Sequence, residues 1–215
     1  MRRLALLAWF VAGTATLSGQ GTAPLTLPDG FPQGSAATLV ALSGEQTVRA
    51  AALEIRVRYP SGWTVAPIPT YALALREPGG TRALTVNTPM PAPFRIDAPV
   101  TSMQLQQLTA SLGKTAKLSP HASGQAQLAD GRLWIWVESE GPVAQGDWDL
   151  SPLEALDYER SRIWTFVTTA GGQFLAVHCA ALLTRGAKPD ERDAQLSRAR
   201  GECGSMMQAL VTRTQ

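Results

Sequence analysis

The chain has 215 residues, of which 45% are hydrophobic and 17% are charged. That length suits one domain with appendages, and the hydrophobic content is enough for a packed core, which excludes an intrinsically disordered chain. The formal net charge is only +2, and so small a positive excess argues against non-specific binding to nucleic acid.

The N-terminus has the pattern of a secretory signal peptide. Two arginines precede an apolar run over residues 4–12, and small and polar residues follow, which is the order of regions in such a peptide. The apolar run is far shorter than the roughly 20 residues needed to cross a bilayer. We therefore expect residues 1–23 to be a signal peptide that is cleaved on export to the periplasm or the extracellular space. Three cleavage positions fit the pattern: after Ala15, Gly21 or Ala23.

Cleavage would leave a nearly neutral protein. Arg2 and Arg3 are two of the 19 basic side chains, and residues 1–23 contain none of the 17 acidic ones. The positive charge thus belongs to the export signal, and no nucleic-acid partner is expected. No cysteine lies near the cleavage positions, so we expect no lipid anchor, and no later segment is long and apolar enough to span a membrane.

The first half of the mature chain predicts several strands. Residues 24–35 are rich in proline and glycine and indicate a linker or an irregular segment before a single domain over residues 36–215. A first strand is predicted over 36–42. The sequence LEIRVRY at 53–59 alternates apolar and charged side chains, as a half-buried strand does. The segments YALALRE and TRALTVN flank PGG and predict a β-hairpin.

Two helices and a second group of strands follow. A helix is predicted over 99–112, with Thr101 and Gln104 as a capping box and Gly113 as its stop. The strand LWIWVESE is apolar on both faces, which is typical of a covered central strand. The acidic stretch DLSPLEALD predicts a short surface helix. The sequence SRIWTFVTTAGGQFLAVHCAALLTR predicts a long hairpin, and a last helix is predicted from Pro189 to Val211.

This order of elements predicts the fold class. Strands joined by hairpins form a largely antiparallel sheet, and the helices must cover it, so the class is α+β. The order does not have the strand–helix alternation of a parallel nucleotide-binding fold.

The two cysteines are predicted to form a disulfide. Adjacent residues of a strand point to opposite faces, so Cys179 faces the core while His178 faces away and cannot act as its base. Cys203 lies in the middle of the apolar stripe of the last helix. In an exported protein, a Cys179–Cys203 disulfide is the expected outcome. Buried free thiols and a catalytic or redox cysteine are the alternatives.

Other site chemistries find little support in the sequence. It has no G-x-S-x-G nucleophile elbow, no H-E-x-x-H zinc motif and no phosphate-binding glycine pattern. The acidic residues from Asp147 to Glu159 lack the ligand spacing of an EF-hand. We therefore predict no catalytic residues, no metal and no cofactor. Four side chains are candidates for lining a ligand groove, with the core as the alternative location for the tryptophans: Trp134, Trp136, Trp164 and His178.

Several of these elements together resemble the PsbP-like superfamily. The resemblance is carried by IRVRYPSGW, by the hairpin and helix after it, and by RIWTFVTTAGGQFLAVHCAALL with its terminal amphipathic helix. It covers about residues 36–213 and implies an α/β/α sandwich around an antiparallel sheet, with non-enzymatic binding as the common role. The chain departs from these relatives in its predicted disulfide and in lacking a lipobox, and the resemblance assigns no functional residue.

The sequence thus favours an exported, monomeric domain that works by binding an envelope protein or a small apolar ligand. One alternative is an extracytoplasmic hydrolase with dispersed catalytic residues, which a deep pocket holding His121 with a serine or a carboxylate would favour. The other is a purely structural component of the envelope, which the absence of both a patch and a pocket would favour.

Overall fold

A computed structural model describes residues 21–32, 40–116, 118–143 and 154–215. The strands in these ranges are β1 (Leu42–Ala50), β2 (Leu53–Pro60), β3 (Thr64–Val65), β4 (Tyr71–Arg76), β5 (Arg82–Asn87), β6 (Met90–Pro91), β7 (Ser119–Gln127), β8 (Leu133–Gly141), β9 (Tyr158–Ala170), β10 (Gln173–Thr184) and β11 (Val211–Thr214). The α-helices are α1 (Ser102–Ala116) and α2 (Pro189–Gln208), and Glu154–Asp157 is a 3₁₀ turn.

The described strands form two antiparallel sheets. The large sheet has the order β3-β4-β5-β10-β9-β8-β7, with β6 paired to β10, and the small sheet has the order β1-β2-β11. The predicted hairpins are confirmed as β4–β5 and β9–β10, and the strand predicted at 53–59 is confirmed as β2. Consecutive strands pair across short turns, which explains why the sheets are antiparallel.

The large sheet is covered on both faces. One face packs against α2 and the inner face of β2, in a core that contains Trp134, Trp164 and Leu175. The opposite face packs against α1 and the loop before it, through Ile135 and Val167. Successive residues of β8 therefore enter different hydrophobic clusters, as the alternation of strand side chains requires. The α+β prediction, with a largely antiparallel sheet covered by helices, is confirmed.

Helix α1 begins at Ser102, three residues later than predicted, and ends at Ala116, four residues later than predicted. The backbone N–H of Thr101 donates to Gln104 Oε1 (2.9 Å), and the N–H of Gln104 donates to Thr101 Oγ1 (3.3 Å), which confirms the capping box. The prediction that Gly113 ends the helix is wrong, since the helix continues to Ala116. A glycine inside a helix costs about 1 kcal/mol relative to alanine, and the burial of Leu105 and Leu108 offsets that cost.

The C-terminal segment differs from its prediction. Helix α2 ends at Gln208, and Val211–Thr214 form strand β11 paired with β2. The apolar periodicity of the helix extends to Leu210, which is buried just beyond the helix end, so the sequence pattern did not mark the stop. The prediction of helix up to Val211 is therefore wrong in its last turn.

The segment before the domain packs against the sheet. Thr22 bridges to Thr101, and Leu25 bridges to Gln125 on the edge strand β7. The indole N–H of Trp136 donates to the carbonyl of Thr26 (2.6 Å), and Phe31 lies in the core with its ring edge-on to Trp164. Residues 24–32 thus have no long regular element, but they contribute to the core.

Some predicted elements lie outside the described residues. These are most of the signal peptide, residues 33–35 of the linker, most of the strand predicted at 36–42, and the first half of the acidic surface helix. No helix in the described ranges is long and apolar enough to span a bilayer.

Candidate functional site

The three tryptophans that were candidates for a ligand groove lie in the core. The exposed fractions of Trp134, Trp136 and Trp164 are 0%, 5% and 0%. They share the sheet face that α2 covers, and burying such large rings stabilises the fold. A ligand arriving from solvent would not reach them, so they stabilise the fold and do not line a groove.

His178 lies on the opposite face of the sheet from these tryptophans. Its Nδ1 is 3.0 Å from Thr165 Oγ1 on the neighbouring strand, and Thr85 is its partner on the other side. Burial lowers the pKa of His178 from 6.5 to about 4, because a charged imidazole would lose its hydration there. The ring is therefore neutral at pH 7 and pairs with a hydroxyl group inside the sheet.

The cysteines are bonded to each other. Cys179 and Cys203 form a disulfide with a Cα–Cα distance of 5.9 Å, and each residue is 2% exposed. The imidazole of His178 projects from the other face of β10, as strand geometry requires. The His–Cys pair is thus not a nucleophile with its base.

A cluster of charged residues extends the core face of the sheet beyond the tryptophans. Glu138 accepts hydrogen bonds from Arg162 (2.8 Å) and Arg200 (3.2 Å). Glu140 accepts from Arg162 (2.7 Å) and forms an ion pair with Arg160 (3.1 Å). The two carboxylates are therefore satisfied by protein groups, and Arg200 ties α2 to the sheet. This internal pairing explains the cluster as a structural element.

His121 lies at the rim of that cluster. Its Nε2 is 3.8 Å from Glu140 Oε2, and its side chain is 44% exposed. The hydrolase alternative would need this histidine in a deep pocket with a nucleophile, and the structure places it on edge strand β7 instead.

A groove opens at the end of the large sheet that carries the β7–β8 and β9–β10 turns. It has a volume of about 580 Å³ and lies between the loop after β6, the β7–β8 turn and the β9–β10 turn. We call it the turn-end groove; its lining residues include Leu25, Arg95, Ile96, Asp97, Arg132 and Leu133. This volume is in the range typical of small-molecule sites, which combine an apolar lining with a few polar groups.

Arg132 is held in place at the groove by residues behind it. Its Nε donates to Thr212 Oγ1 (2.6 Å), and the Thr212 hydroxyl donates to Asp130 Oδ2 (3.1 Å). The other oxygen of Asp130 accepts from the backbone N–H of Arg132 (3.0 Å). Asp130 is 3% exposed and Arg132 is 30% exposed at the side chain, so a buried carboxylate supports an accessible guanidinium.

Arg95 and Asp97 also line the groove. Both are exposed, and within the described ranges neither makes a hydrogen bond or an ion pair. They follow one another closely in the loop that leads to α1, on either side of Ile96, which is buried under α1 and whose N–H donates to Thr169 Oγ1 (2.8 Å). Anchoring Ile96 holds the two charged side chains at the rim.

These groove residues were not predicted from the sequence. Arg132 follows the Asp-Gly turn between β7 and β8, and its partner Thr212 is 80 positions away. The one local signal is the loop MPAPFRIDAP, which places an arginine and an aspartate among apolar residues. Among the described residues, no His, Cys, Asp and Glu side chains are grouped to hold a metal ion.

Comparison with known proteins gives limited similarity. No protein-family model matches the sequence, and no curated protein is similar to it. The chain is similar in structure to LpqN, a protein involved in cell envelope biogenesis of Mycobacterium tuberculosis, with a TM-score of 0.46 and 10% identity over 80% of this chain and 91% of that chain. It is also similar to a protein of Bacteroides thetaiotaomicron VPI-5482, with a TM-score of 0.36 and 12% identity over 75% of this chain and 45% of that chain. At these scores the two similarities do not bear on what the groove binds.

Proposed function

We propose that this protein is an exported, monomeric binding protein of the cell envelope or extracellular space, and that the turn-end groove is its binding site. The observation that carries the proposal is the groove itself, which has apolar and polar side chains in its lining and contains an arginine that buried residues hold in position. Holding a polar group in place before the ligand arrives lowers the entropy cost of binding. A purely structural envelope component would have no need of such an arrangement.

Export is supported by two features. The N-terminal sequence has the order of a signal peptide, and the Cys179–Cys203 disulfide is the kind of bond that persists in oxidising compartments. The PsbP-like resemblance is part of the same proposal, and its support is a sheet with helices on both faces and a long hairpin followed by a helix, although the chain continues from that helix into strand β11.

The hydrolase alternative has less support. The described residues that line the groove include no histidine, serine or cysteine, and the side chains among them that could act as a base or a nucleophile are Asp97 and Thr169. These two do not form a base–nucleophile pair, because Asp97 makes no hydrogen bond within the described ranges and Thr169 Oγ1 accepts from the N–H of Ile96. We therefore propose binding without covalent chemistry on the ligand.

The proposal can be tested by NMR titration of the mature, oxidised protein with a small-molecule extract of the cell envelope. We expect shifts in the amide resonances of the β7–β8 and β9–β10 turns. The variant Ala92→Trp places a large ring in the groove and should abolish those shifts. Ala187→Trp, in the loop between β10 and α2, is the matched control and should leave them unchanged.

Two results would overturn the proposal. One is an extract that leaves the resonances of the groove unchanged. The other is a set of shifts that persists in Ala92→Trp, since the ligand would then bind elsewhere. If a protein fraction of the extract produces the shifts in place of the small-molecule fraction, the groove is a protein interface and the small-ligand part of the proposal is wrong.

A further inference from the structure

We propose that the ligand of the turn-end groove carries an anionic head group, either a carboxylate or a phosphate, on an apolar body, and that Arg132 binds that head group. This inference rests on the proposed function, because it takes the groove to be a binding site. It adds the chemical class of the ligand and the residue that selects it.

The hydrogen bonds of Arg132 leave its two terminal amino groups for a ligand. Within the described part of the chain, Arg132 uses Nε and its backbone N–H, and neither Nη atom has a hydrogen-bond partner. A guanidinium whose Nε is fixed presents its remaining N–H groups in a planar fork that matches two oxygens of a carboxylate or a phosphate. Since the bond to Thr212 already fixes this side chain, a ligand would not have to order it.

Asp130 positions Arg132 without occupying the groove. Its carboxylate is 3.7 Å from Arg132 Nε, and both of its oxygens accept shorter hydrogen bonds from Thr212 and from the Arg132 backbone. It is 3% exposed, and the guanidinium nitrogen it approaches is Nε, so it does not compete for the Nη atoms. Through Thr212, which bonds to both residues, the buried carboxylate of Asp130 keeps the guanidinium of Arg132 in one orientation.

The charges around the groove set a limit on the anion. Arg95, Arg132 and Asp97 line the groove, and the carboxylate of Asp130 lies 3.7 Å from Arg132 Nε. The two carboxylates offset the two guanidinium charges, so the selectivity for an anion comes from the short-range hydrogen bonds that Arg132 can donate and not from a positive field. We therefore expect a ligand with one acidic group, and we expect Asp97 to weaken its binding.

The rest of the lining fits an apolar body. Leu25 is 49% exposed although it is a large aliphatic residue, and Pro99 and Leu133 continue the apolar surface from it. Burying such a surface is favourable because of the hydrophobic effect. A ligand that consists of a head group alone would leave these apolar side chains exposed to water. A ligand whose ionic group binds Arg132 and whose short hydrocarbon chain lies over Leu25 and Leu133 would contact both the polar and the apolar part of the groove.

The test is a titration at low ionic strength with probes that differ only in head group. Octanoate and octyl phosphate are the anionic probes, octanol is neutral and octyltrimethylammonium is cationic, while acetate and inorganic phosphate supply the head groups without the body. Binding is measured by calorimetry and by amide shifts at the two turns. We expect the two anionic octyl probes to bind about tenfold or more tightly than octanol, and the bare head groups to bind weakly.

Four variants separate the contributions of the residues. Arg132→Gln should weaken the anionic probes by about tenfold or more and leave octanol unchanged. Arg132→Lys keeps the charge without the planar fork and should show an intermediate loss, and it stands in if the Gln variant does not fold. Asp97→Asn should tighten the anionic probes by a few-fold. Arg49→Gln, at an exposed ion pair with Glu54 outside the groove, is the control and should change nothing.

The outcomes separate this inference from the proposed function. If octanol binds as tightly as octanoate and Arg132→Gln has no effect, the anionic head group is wrong while the binding groove stands. If octyl phosphate binds and octanoate does not, the head group is a phosphate, and the reverse result identifies a carboxylate. If neither the probes nor the envelope extract move the groove resonances, both the inference and the proposed function are overturned.

Discussion

Cys179 on β10 and Cys203 on α2 are joined by a disulfide that fixes the last helix to the middle of the large sheet. Cys179 lies between Trp164 and Leu84 on the neighbouring strands, so the bond starts from the centre of the core. The helix also contributes Arg200 to the charged cluster on the same face. The disulfide therefore couples α2 to the hydrophobic core of the sheet.

Removal of this bond should lower the free energy of unfolding by about 3 kcal/mol, since it closes a loop across a sequence separation of 24 residues. The comparison is between the wild type and a Cys179→Ala/Cys203→Ala double variant, unfolded in urea. Wild type under reducing conditions is the control and should lose a similar amount. Equal stability of the oxidised and reduced wild type would contradict the expectation.

Glu138→Gln should destabilise the protein by about 2 kcal/mol. Glu138 is a buried acceptor for Arg162 and Arg200, and hydrogen bonds to charged groups contribute about 1.5–3 kcal/mol. The control is Glu54→Gln, which removes the carboxylate of the exposed Arg49 ion pair and should change stability by less than about 1 kcal/mol. Similar losses in the two variants would show that burial of the cluster is not what makes it stabilising.

The stability of the protein should fall as the pH drops from 6.5 to 4 because of His178. Its pKa is lowered to about 4 in the folded protein, whereas the unfolded chain takes up a proton near 6.5. The unfolded state therefore binds more protons than the folded state in this window. This difference in proton binding lowers the free energy of unfolding by at most about 3 kcal/mol at pH 4. The partners of His178 across the strands, Thr85 and Thr165, carry no charge that would offset this.

The measurement is urea unfolding at several pH values between 7 and 4. His178→Gln should flatten the dependence in this window. His121→Gln, at an exposed position, is the matched control and should keep the wild-type slope. Identical slopes for the two variants would assign the pH dependence to other groups.

Ala51→Gly should stabilise the protein by up to about 1 kcal/mol. Ala51 is at the turn between β1 and β2 and has a φ of +52°, a conformation that costs an L-residue roughly 1–2 kcal/mol and a glycine almost nothing. The gain is measured as a higher urea midpoint with unchanged slope. Ala52→Gly is the control, and because Ala52 does not have a positive φ, that change should destabilise the protein.

Regular periodicity in the sequence predicted most of the fold. The alternation in β2 and the apolar hairpin of β9 and β10 reflect burial on fixed faces, which a pattern of period two records directly. Strand β1 was not predicted in its place because LSGEQTVRA has only Leu42 and Val48 as larger apolar residues, and no position along it is fully buried. Its pairing with β2 comes from backbone hydrogen bonds, which leave little trace in the sequence.

The candidate site was hidden for a different reason. The disulfide could be predicted because both cysteines lie on apolar faces, one of a strand and one of a helix, and such faces are buried against each other in a folded domain. The groove, in contrast, forms where the β7–β8 turn, the loop before α1 and Thr212 of the C-terminal strand meet. None of these segments has a recognisable sequence motif of its own, and Thr212 comes into contact with Arg132 only in the folded chain.

A signal peptide over residues 1–23 would leave a mature chain that begins at Pro24, whereas the contacts of Ala23 favour a mature chain that begins at Thr22 or earlier. Ala23 is 6% exposed, its N–H donates to the carbonyl of Val100 (3.2 Å), and its carbonyl accepts from the buried amide of Gln125. Of the three cleavage positions, those after Ala15 and Gly21 keep these bonds, whereas cleavage after Ala23 removes the residue that makes them. Intact-mass measurement of the exported protein should therefore give an N-terminus at Thr16 or Thr22.

A recombinant chain that begins at Pro24 should be less stable than one that begins at Thr22 by about 1–2 kcal/mol, because Gln125 would lose a buried partner. An exported protein that begins at Pro24 with undiminished stability would contradict this account of the N-terminal segment.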